Sequence, residues 1–110
     1  SLYVFDRLVL SELPTLHEHL GRMGVSPDLY AAKWFHALAM APQVDAAVMD
    51  YFLLDGPAAV YSLGLALLSA NEGSLLEISD RDQLVHILNN ELPDAFAAPQ
   101  ELIDYASSVW

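Results

Sequence analysis

The sequence predicts an all-α fold, and three observations point to it. Apolar residues recur at intervals of three and four along most of the 110 residues, which is the spacing of one helix face. No segment shows the strict apolar–polar alternation that is typical of a half-buried strand. Prolines and serines stand where helical patterns begin. Together these patterns predict a compact array of about six to seven short helices.

Two helices precede the central part of the chain. From Leu2 to Leu10 the apolar side chains form one helical face, which can continue to Leu13. Pro14 is compatible with helix only if a new turn begins near it, because proline cannot donate a mid-helix hydrogen bond. The spacing then continues along a second helix, whose end Gly21 and Gly24 are expected to loosen, at Leu13, Leu16, Leu20 and Met23.

The 26–56 segment is predicted to be the packing centre. Ser26-Pro27 indicates a helix start, since a serine hydroxyl can accept from the free amides of the first turn and proline needs no amide there. This helix is predicted to run from 28 to 40 and to be mostly buried. A second apolar helix, from 44 to 54, follows after a proline-containing turn. The polar residues of the first are Asp28, Lys33 and His36.

Pro57 is expected to open a third apolar helix that ends at about Ala70. Gly64 lies inside it, and because glycine lowers helix propensity, its presence suggests that a neighbouring helix approaches closely. The 71–74 run is expected to be a turn or a break in the helix.

Ser79 is expected to cap the next helix, with acidic residues in its first turn. That helix is predicted to end at about 92–94, and residues 94–110 to form a linker and a final helix from 100 to 110. Its buried face is predicted to consist of Leu84, Ile87, Leu88 and Leu92. The final helix is predicted to bury Leu102, Ile103 and Ala106.

Composition limits the classes of function. The net charge is −11, from 15 acidic against 4 basic residues, which excludes a phosphate-tracking surface and argues against nucleic acid and anionic membranes. The longest mostly apolar run, 57–68, is too short for a transmembrane segment. No targeting segment is expected, and the absence of cysteine is compatible with a cytoplasmic location.

The chain is also unusually apolar for one small domain. It is 55% hydrophobic, with a mean hydropathy of +0.32. A small domain has too much surface for such a sequence unless part of that surface is covered. A missing half of the domain, a partner subunit or a dimer would each cover it.

Catalytic, metal and cofactor sites are not predicted. His17 and His19 point about 200° apart on a helix, which is the wrong spacing for a shared metal ion. The acidic pairs lie near helix starts or on polar faces, where caps and solvation explain them. There is neither a Gly-x-Ser-x-Gly elbow nor a glycine-rich phosphate loop.

Four residues of the central segment are candidates for a structural or partner-binding role: Tyr30, Lys33, Trp34 and Asp50. Lys33 and Asp50 are isolated charges in apolar helices, and three interpretations remain open. Both side chains can lie in solvent at the edges of their helices. They can instead form a partly buried ion pair that joins the two helices, or Lys33 can face a bound partner. The aromatic residues of the segment follow helical spacing and are expected in the core.

Three spaced segments resemble the second half of a TBC domain, the Rab GTPase-activating fold. Residues 26–35 (SPDLYAAKWF) match the family pattern SPxLYAxxWF, and residues 50–56 (DYFLLDG) match most of WDxFLxxG. Upstream, residues 13–25 (LPTLHEHLGRMGV) are similar to LPxLxxHLxxxGI. The resemblance covers about Phe5 to Pro93, and Met49 departs from it where the family usually has tryptophan.

The resemblance implies an all-α C-terminal subdomain, residues 1–110, of a domain about twice this length. TBC domains accelerate GTP hydrolysis on Rab proteins with an arginine and a glutamine finger, from IxxDxxR and YxQ segments in the first half. Neither segment occurs in this sequence. The resemblance therefore implies a Rab-type GTPase and the N-terminal half as partners, no catalytic residue or cofactor here, and a cytoplasmic location, possible also at endomembranes through partners. The alternative is a catalytically inactive helical interaction or scaffold module with a TBC-like fold.

Overall fold

The computed structural model describes residues 2–39 and 57–109. These ranges contain seven α-helices, two 3-10 turns and one π-helical turn, and no strand. The predicted all-α array of six to seven short helices is confirmed. The predicted 44–54 helix and Asp50 lie outside the described residues.

The first four helices are α1 (Leu2–Glu12), α2 (Pro14–Arg22), α3 (Ala31–Ala39) and α4 (Pro57–Ala70). They are followed by α5 (Glu72–Leu76), α6 (Arg81–His86) and α7 (Pro99–Val109). A 3-10 turn, Pro27–Leu29, precedes α3. A π-helical turn, Ile87–Glu91, and a 3-10 turn, Leu92–Ala97, lie between α6 and α7.

Proline begins three of the helices. Pro14 starts α2, Pro57 starts α4 and Pro99 starts α7, because the first helical position needs no amide donor. The bounds of α4 are those predicted, and the helix break at Pro14 is confirmed. Gly24 does not loosen the end of α2. At φ +72° it makes a defined stop, after which the amide of Val25 bonds to the carbonyl of Leu20 at 2.8 Å.

The predicted long, mostly buried helix from residue 28 is wrong in two respects. The backbone leaves the helical path at Tyr30 (φ −143°, ψ −36°), so α3 begins only at Ala31. Ser26 makes no side-chain cap, since a 3-10 turn and not an α-helix follows it. Among the described side chains of α3, Ala31 and Trp34 are buried, while Ala32, Lys33 and His36 are exposed.

Two further expectations need correction. Residues 72–76 form the short helix α5 and not a break; the Asn71 side chain donates to the Leu67 carbonyl at 2.8 Å, which joins the end of α4 to α5. The cap of α6 is Asp80 and not Ser79, because the Asp80 carboxylate accepts from the amide of Asp82 at 3.2 Å.

The π-helical turn alters the predicted buried face after α6. Leu84 and Leu88 are fully buried, but Ile87 and Leu92 are only half-buried, since the wider turn changes their angular positions. The following 3-10 turn buries Phe96. The predicted burial of the final helix is confirmed at Leu102, Ile103 and Ala106.

Helix α4 lies at the centre of the described packing and contacts α1, α3, α5 and α7. Four of its side chains, Leu63, Ala66, Leu67 and Leu68, are almost completely buried. No helix within the described ranges is both long and apolar enough to cross a membrane. The core therefore forms around one short apolar helix.

Gly64 marks the close helix contact that the sequence predicts. A Cβ atom at this position would lie 2.8 Å from Cε1 and 3.0 Å from Cζ of Phe5 in α1. The Phe5 ring in turn meets Phe35 edge-on at 5.5 Å and Tyr61 at 6.3 Å. The absence of a side chain at Gly64 allows α1 and α4 to enclose this aromatic cluster.

We expect Gly64→Ala to lower the free energy of unfolding, because the displacement of the buried Phe5 ring by the added methyl group, about 1–3 kcal/mol, outweighs the gain of about 0.5–1 kcal/mol from replacing glycine inside a helix. Gly73→Ala is the matched control, since no atom lies within 4 Å of its added Cβ. In the short helix α5 this control is expected to stabilise by about 0.5–1 kcal/mol. Urea unfolding measures both changes, and equal effects of the two substitutions would contradict the close contact.

Candidate functional site

Trp34 lies in the core and is fully buried. Its indole Nε1–H donates a 2.6 Å hydrogen bond to the backbone carbonyl of Leu88. Its ring contacts those of Tyr30 and Phe96 at centroid distances of 4.8 and 5.8 Å. One side chain thus connects α3 to both turns that follow α6.

The winding of residues 87–91 explains why the Leu88 carbonyl can accept from Trp34. In this π-helical turn the amide of Leu92 donates to Ile87, five residues earlier, and not to Leu88 as it would in an α-helix. The amide that would reach Leu88 in the same pattern belongs to Pro93, which has no N–H. The sequence therefore leaves a buried carbonyl without a backbone donor, and the indole satisfies it.

Tyr30 is buried beside Trp34, and only 1% of its surface is exposed. Burial raises the pKa of the Tyr30 phenol well above its ordinary value, and the nearby charge of Asp6 raises it further. The neutral phenol is the form that an apolar setting favours. Tyr30 is also one of the residues that line the groove described below.

Lys33 lies on the exposed side of α3. Its Nζ donates to Oδ1 of Asn90 at 3.4 Å, and Nδ2 of Asn90 lies 3.2 Å from Nδ1 of His86. This surface chain connects α3 to α6 and its π-helical turn. The ion pair of Lys33 with Asp50 stays one of the open interpretations, because Asp50 lies outside the described residues.

A groove runs between α1, the end of α2 and the Pro27–Leu29 turn. One hollow of this groove, about 120 Å³, is mostly apolar, and Leu20, Pro27 and Tyr30 line it together with Asp6 and His17. A second hollow, about 300 Å³, is lined by Leu2, Tyr3, Asp6, Ser26, Pro27 and Asp28. The linings of the two hollows share Asp6, Ser26 and Pro27.

The two histidines of α2 lie in different surroundings. Nε2 of His17 is 3.1 Å from Oδ1 of Asp6, which joins α2 to α1. Nε2 of His19 is buried and has no hydrogen-bond partner within the described part of the chain. Across residues 2–39 and 57–109, no three His, Cys, Asp or Glu side chains come close enough together to hold a metal ion.

The structure brings two of the four candidate residues together. The rings of Tyr30 and Trp34 contact each other in the core at a tilt of 58°, whereas Lys33 lies on the exposed side of α3. Sequence reasoning missed the groove, because its lining combines residues of α1 with residues of the Pro27–Leu29 turn. Sequence reasoning also missed the Leu88 carbonyl as an acceptor. The signal for it in the sequence is Pro93, which follows an apolar helix and has no N–H.

The comparisons with known proteins agree with this helical arrangement. The family model of the RabGAP TBC domain matches residues 1–109. The chain belongs to the RabGAP TBC domain family. The resemblance predicted from the sequence motifs is confirmed.

Several relatives of this TBC chain carry names from the same class. The GTPase activating protein Gyp51 of Schizosaccharomyces pombe is 34% identical over 99% of the chain. TBC1 domain family member 4 of Mus musculus is 33% identical over 94%, and the Rab GTPase-activating protein eat-17 of Caenorhabditis elegans is 24% identical over 93%. The chain spans only 11%, 8% and 12% of these three proteins. No solved structure matches the chain.

We expect Trp34→Phe to lower the free energy of unfolding by at least about 2 kcal/mol, because it leaves the Leu88 carbonyl buried without a donor. In that variant, Pro93→Ala returns a backbone N–H that can reach this carbonyl and recovers about 1 kcal/mol. In the wild-type background the acceptor is already occupied, so Pro93→Ala brings no such gain. Urea unfolding of the four proteins measures the coupling, and a Pro93→Ala effect that is the same in both backgrounds would contradict the arrangement.

Lys33→Met is expected to change the free energy of unfolding by less than about 0.5 kcal/mol, because the side chain is exposed and its hydrogen bond is long. A double-mutant cycle with Asp50→Leu measures any coupling between the two charges. A loss above about 2 kcal/mol for Lys33→Met would show that its charge is held in a far more buried pair.

Proposed function

We propose that this chain is the C-terminal helical half of a RabGAP TBC domain. It acts together with an N-terminal half that carries the arginine and glutamine fingers, and the complete domain stimulates GTP hydrolysis by a Rab protein. The observation that carries the proposal is the family match along residues 1–109 of a sequence that contains neither an IxxDxxR nor a YxQ segment.

Two further observations support a half-domain. The composition is 55% hydrophobic, more than a free-standing domain of this size can cover. Two large side chains of α1 are also exposed, Tyr3 at 71% and Leu10 at 37%. A second helical half of the domain would supply the surface to cover them.

In the proposed reaction, water attacks the γ-phosphoryl group of GTP bound to the Rab protein. The arginine finger neutralises the charge that develops on the transferred group, and the glutamine finger orients the water. The present chain supplies no reacting group. Its part is mechanical: the bond between Trp34 and Leu88 and the packing of Phe5 against Gly64 hold a rigid helical base.

The chain is accordingly a regulatory activator and not an enzyme in itself. The partners that we propose are a Rab-type small GTPase, bound through the complete domain, and the N-terminal half of that domain. We propose a cytoplasmic location, with peripheral attachment to endomembranes through those partners.

The test is phosphate release from a panel of GTP-loaded Rab proteins, measured with the full-length protein and with residues 1–110 alone. The full-length protein is expected to raise the hydrolysis rate of at least one Rab by about 10³- to 10⁵-fold. Residues 1–110 alone are expected to leave every rate at its intrinsic value, because they lack both fingers.

A full-length variant with the finger arginine replaced by alanine is the control, and it should lose nearly all of the stimulation. Failure of the full-length protein to stimulate any Rab would favour the alternative, a catalytically inactive interaction or scaffold module. Stimulation by residues 1–110 alone would show that the catalytic groups lie within this chain.

A further inference from the structure

We propose that the smaller hollow of the groove, about 120 Å³, receives an apolar side chain from the N-terminal half of the domain. This inference rests on the proposed function in one respect, namely that such a half exists, and it adds the place where the two halves meet. The chemistry of the walls, the opening at Gly21 and the volume of the hollow lead to this assignment.

The walls of the smaller hollow are mainly apolar and belong to the core. Leu20 and Val25, at the end of α2, and Pro27 and Tyr30, around the 3-10 turn, line it and are all buried. The first two lie in the 13–25 segment and the last two in the 26–35 segment, so both segments that resemble the family contribute walls. A side chain that entered here would extend the hydrophobic core and exclude water from these walls.

The ionisable residues of the lining do not require a charged ligand. Oδ1 of Asp6 and Nε2 of His17 lie 3.1 Å apart and bond each other. Burial, and then the charge of Asp6, raise the pKa of the Tyr30 phenol, which favours its neutral form. The hollow therefore offers an occupant mostly apolar surface, and an aliphatic or aromatic side chain fits that surface better than a charged one.

Gly21 leaves the hollow open to the protein surface. It lines the hollow and is exposed, and a Cβ atom at this position would meet no atom of the surrounding structure within 4 Å. Ser26, another residue of the lining, is exposed as well. A side chain from outside the described chain can therefore reach the buried walls.

The volume is that of one side chain. A closed apolar cavity of about 150 Å³ accommodates a benzene molecule, so a hollow of about 120 Å³ has room for one group of the size of leucine or phenylalanine. Protein interiors contain few voids larger than a water molecule. A hollow with such walls is therefore expected to be filled in the complete domain.

The position of α1 favours the N-terminal half as the source of this side chain. In the proposed domain that half precedes α1, and Leu2 and Tyr3 at the start of α1 line the second hollow. The linings of the two hollows share Asp6, Ser26 and Pro27. The connection between the halves thus leads to the groove, and a surface that covers the exposed Tyr3 lies next to the opening at Gly21.

Thiol labelling of the full-length protein tests whether the hollow is covered. Gly21→Cys places a thiol at the opening, and residues 1–110 contain no other cysteine. Its alkylation by N-ethylmaleimide, followed by mass spectrometry of the peptide around residue 21, is expected to be at least about tenfold slower than in urea. Gly73→Cys is the matched control, because Gly73 is also an exposed helical glycine with no atom within 4 Å of its added Cβ, and its alkylation should be slowed less than twofold.

Gly21→Leu tests whether the space is already taken. In the full-length protein the added side chain competes with the occupant, so the amides of Val25, Leu29 and Tyr30, whose hydrogen bonds hold the walls, are expected to exchange about tenfold faster. Gly73→Leu should change this exchange less than twofold. In an unfilled hollow the leucine would pack against the walls, and unchanged or slower exchange would contradict the proposal.

A photoreactive diazirine side chain at position 21 of the full-length protein identifies the occupant. Irradiation is expected to cross-link it to an apolar residue of the N-terminal half. A cross-link to a second molecule, or to sequence that follows residue 110, would assign another occupant and overturn the proposal. Alkylation of Gly21→Cys as fast as that of Gly73→Cys would show that the hollow stays open and would overturn it as well.

These measurements need no Rab protein, so they are separate from the test of the proposed function. A full-length protein that stimulates a Rab while Gly21→Cys reacts freely would contradict this contact and leave the proposed function standing. Protection of Gly21→Cys and a cross-link to the N-terminal half, without stimulation of any Rab, would support the contact and contradict the proposed function.

Discussion

The hydrogen bond from the Trp34 indole to the Leu88 carbonyl is the constraint on which the described structure depends. Among the described side chains of α3, Ala31 and Trp34 are the buried ones, and the helix contacts the Pro27–Leu29 turn, α4 and the Leu92–Ala97 turn. The Trp34 indole bonds α3 to the π-helical turn. The Trp34 ring also contacts Tyr30, which follows the Pro27–Leu29 turn, and Phe96 of the Leu92–Ala97 turn. The Leu88 carbonyl is available to the indole because Pro93 has no N–H that could donate to it. The donor of Trp34 and the free acceptor of Leu88, far apart in the sequence, therefore satisfy each other in one hydrogen bond.

The sequence predicts much of this fold for clear physical reasons. Proline starts and apolar spacing place α1, α2, α4 and α7 nearly where they are found, because both signals are local. The π-helical turn and the bend at Tyr30 were not predicted, because apolar spacing does not distinguish such turns from a continuous α-helix. The Asp80 cap was missed because serine and aspartate are both good caps and stand side by side.

In the candidate site, too, local sequence patterns predict some features and not others. The motif that contains Tyr30 and Trp34 identifies the family, but its conspicuous residues are packing residues in the described structure. The surface with distinctive chemistry is the groove, which combines residues of α1 with those of the Pro27–Leu29 turn. No local pattern marks such a site, because it exists only once the helices have packed. Membership in the RabGAP TBC family is thus recognised from a motif whose residues Tyr30 and Trp34 pack in the core.

Hydrogen exchange of the Trp34 indole Nε1–H tests the central constraint most directly. In ¹H–¹⁵N spectra, with the signal assigned through its loss in Trp34→Phe, this proton is expected to exchange as slowly as the most protected backbone amides of α3 and α4. Such protection requires a buried donor with a satisfied bond that opens only when the structure around it opens. Exchange of this indole within seconds, while those amides remain protected, would contradict the account.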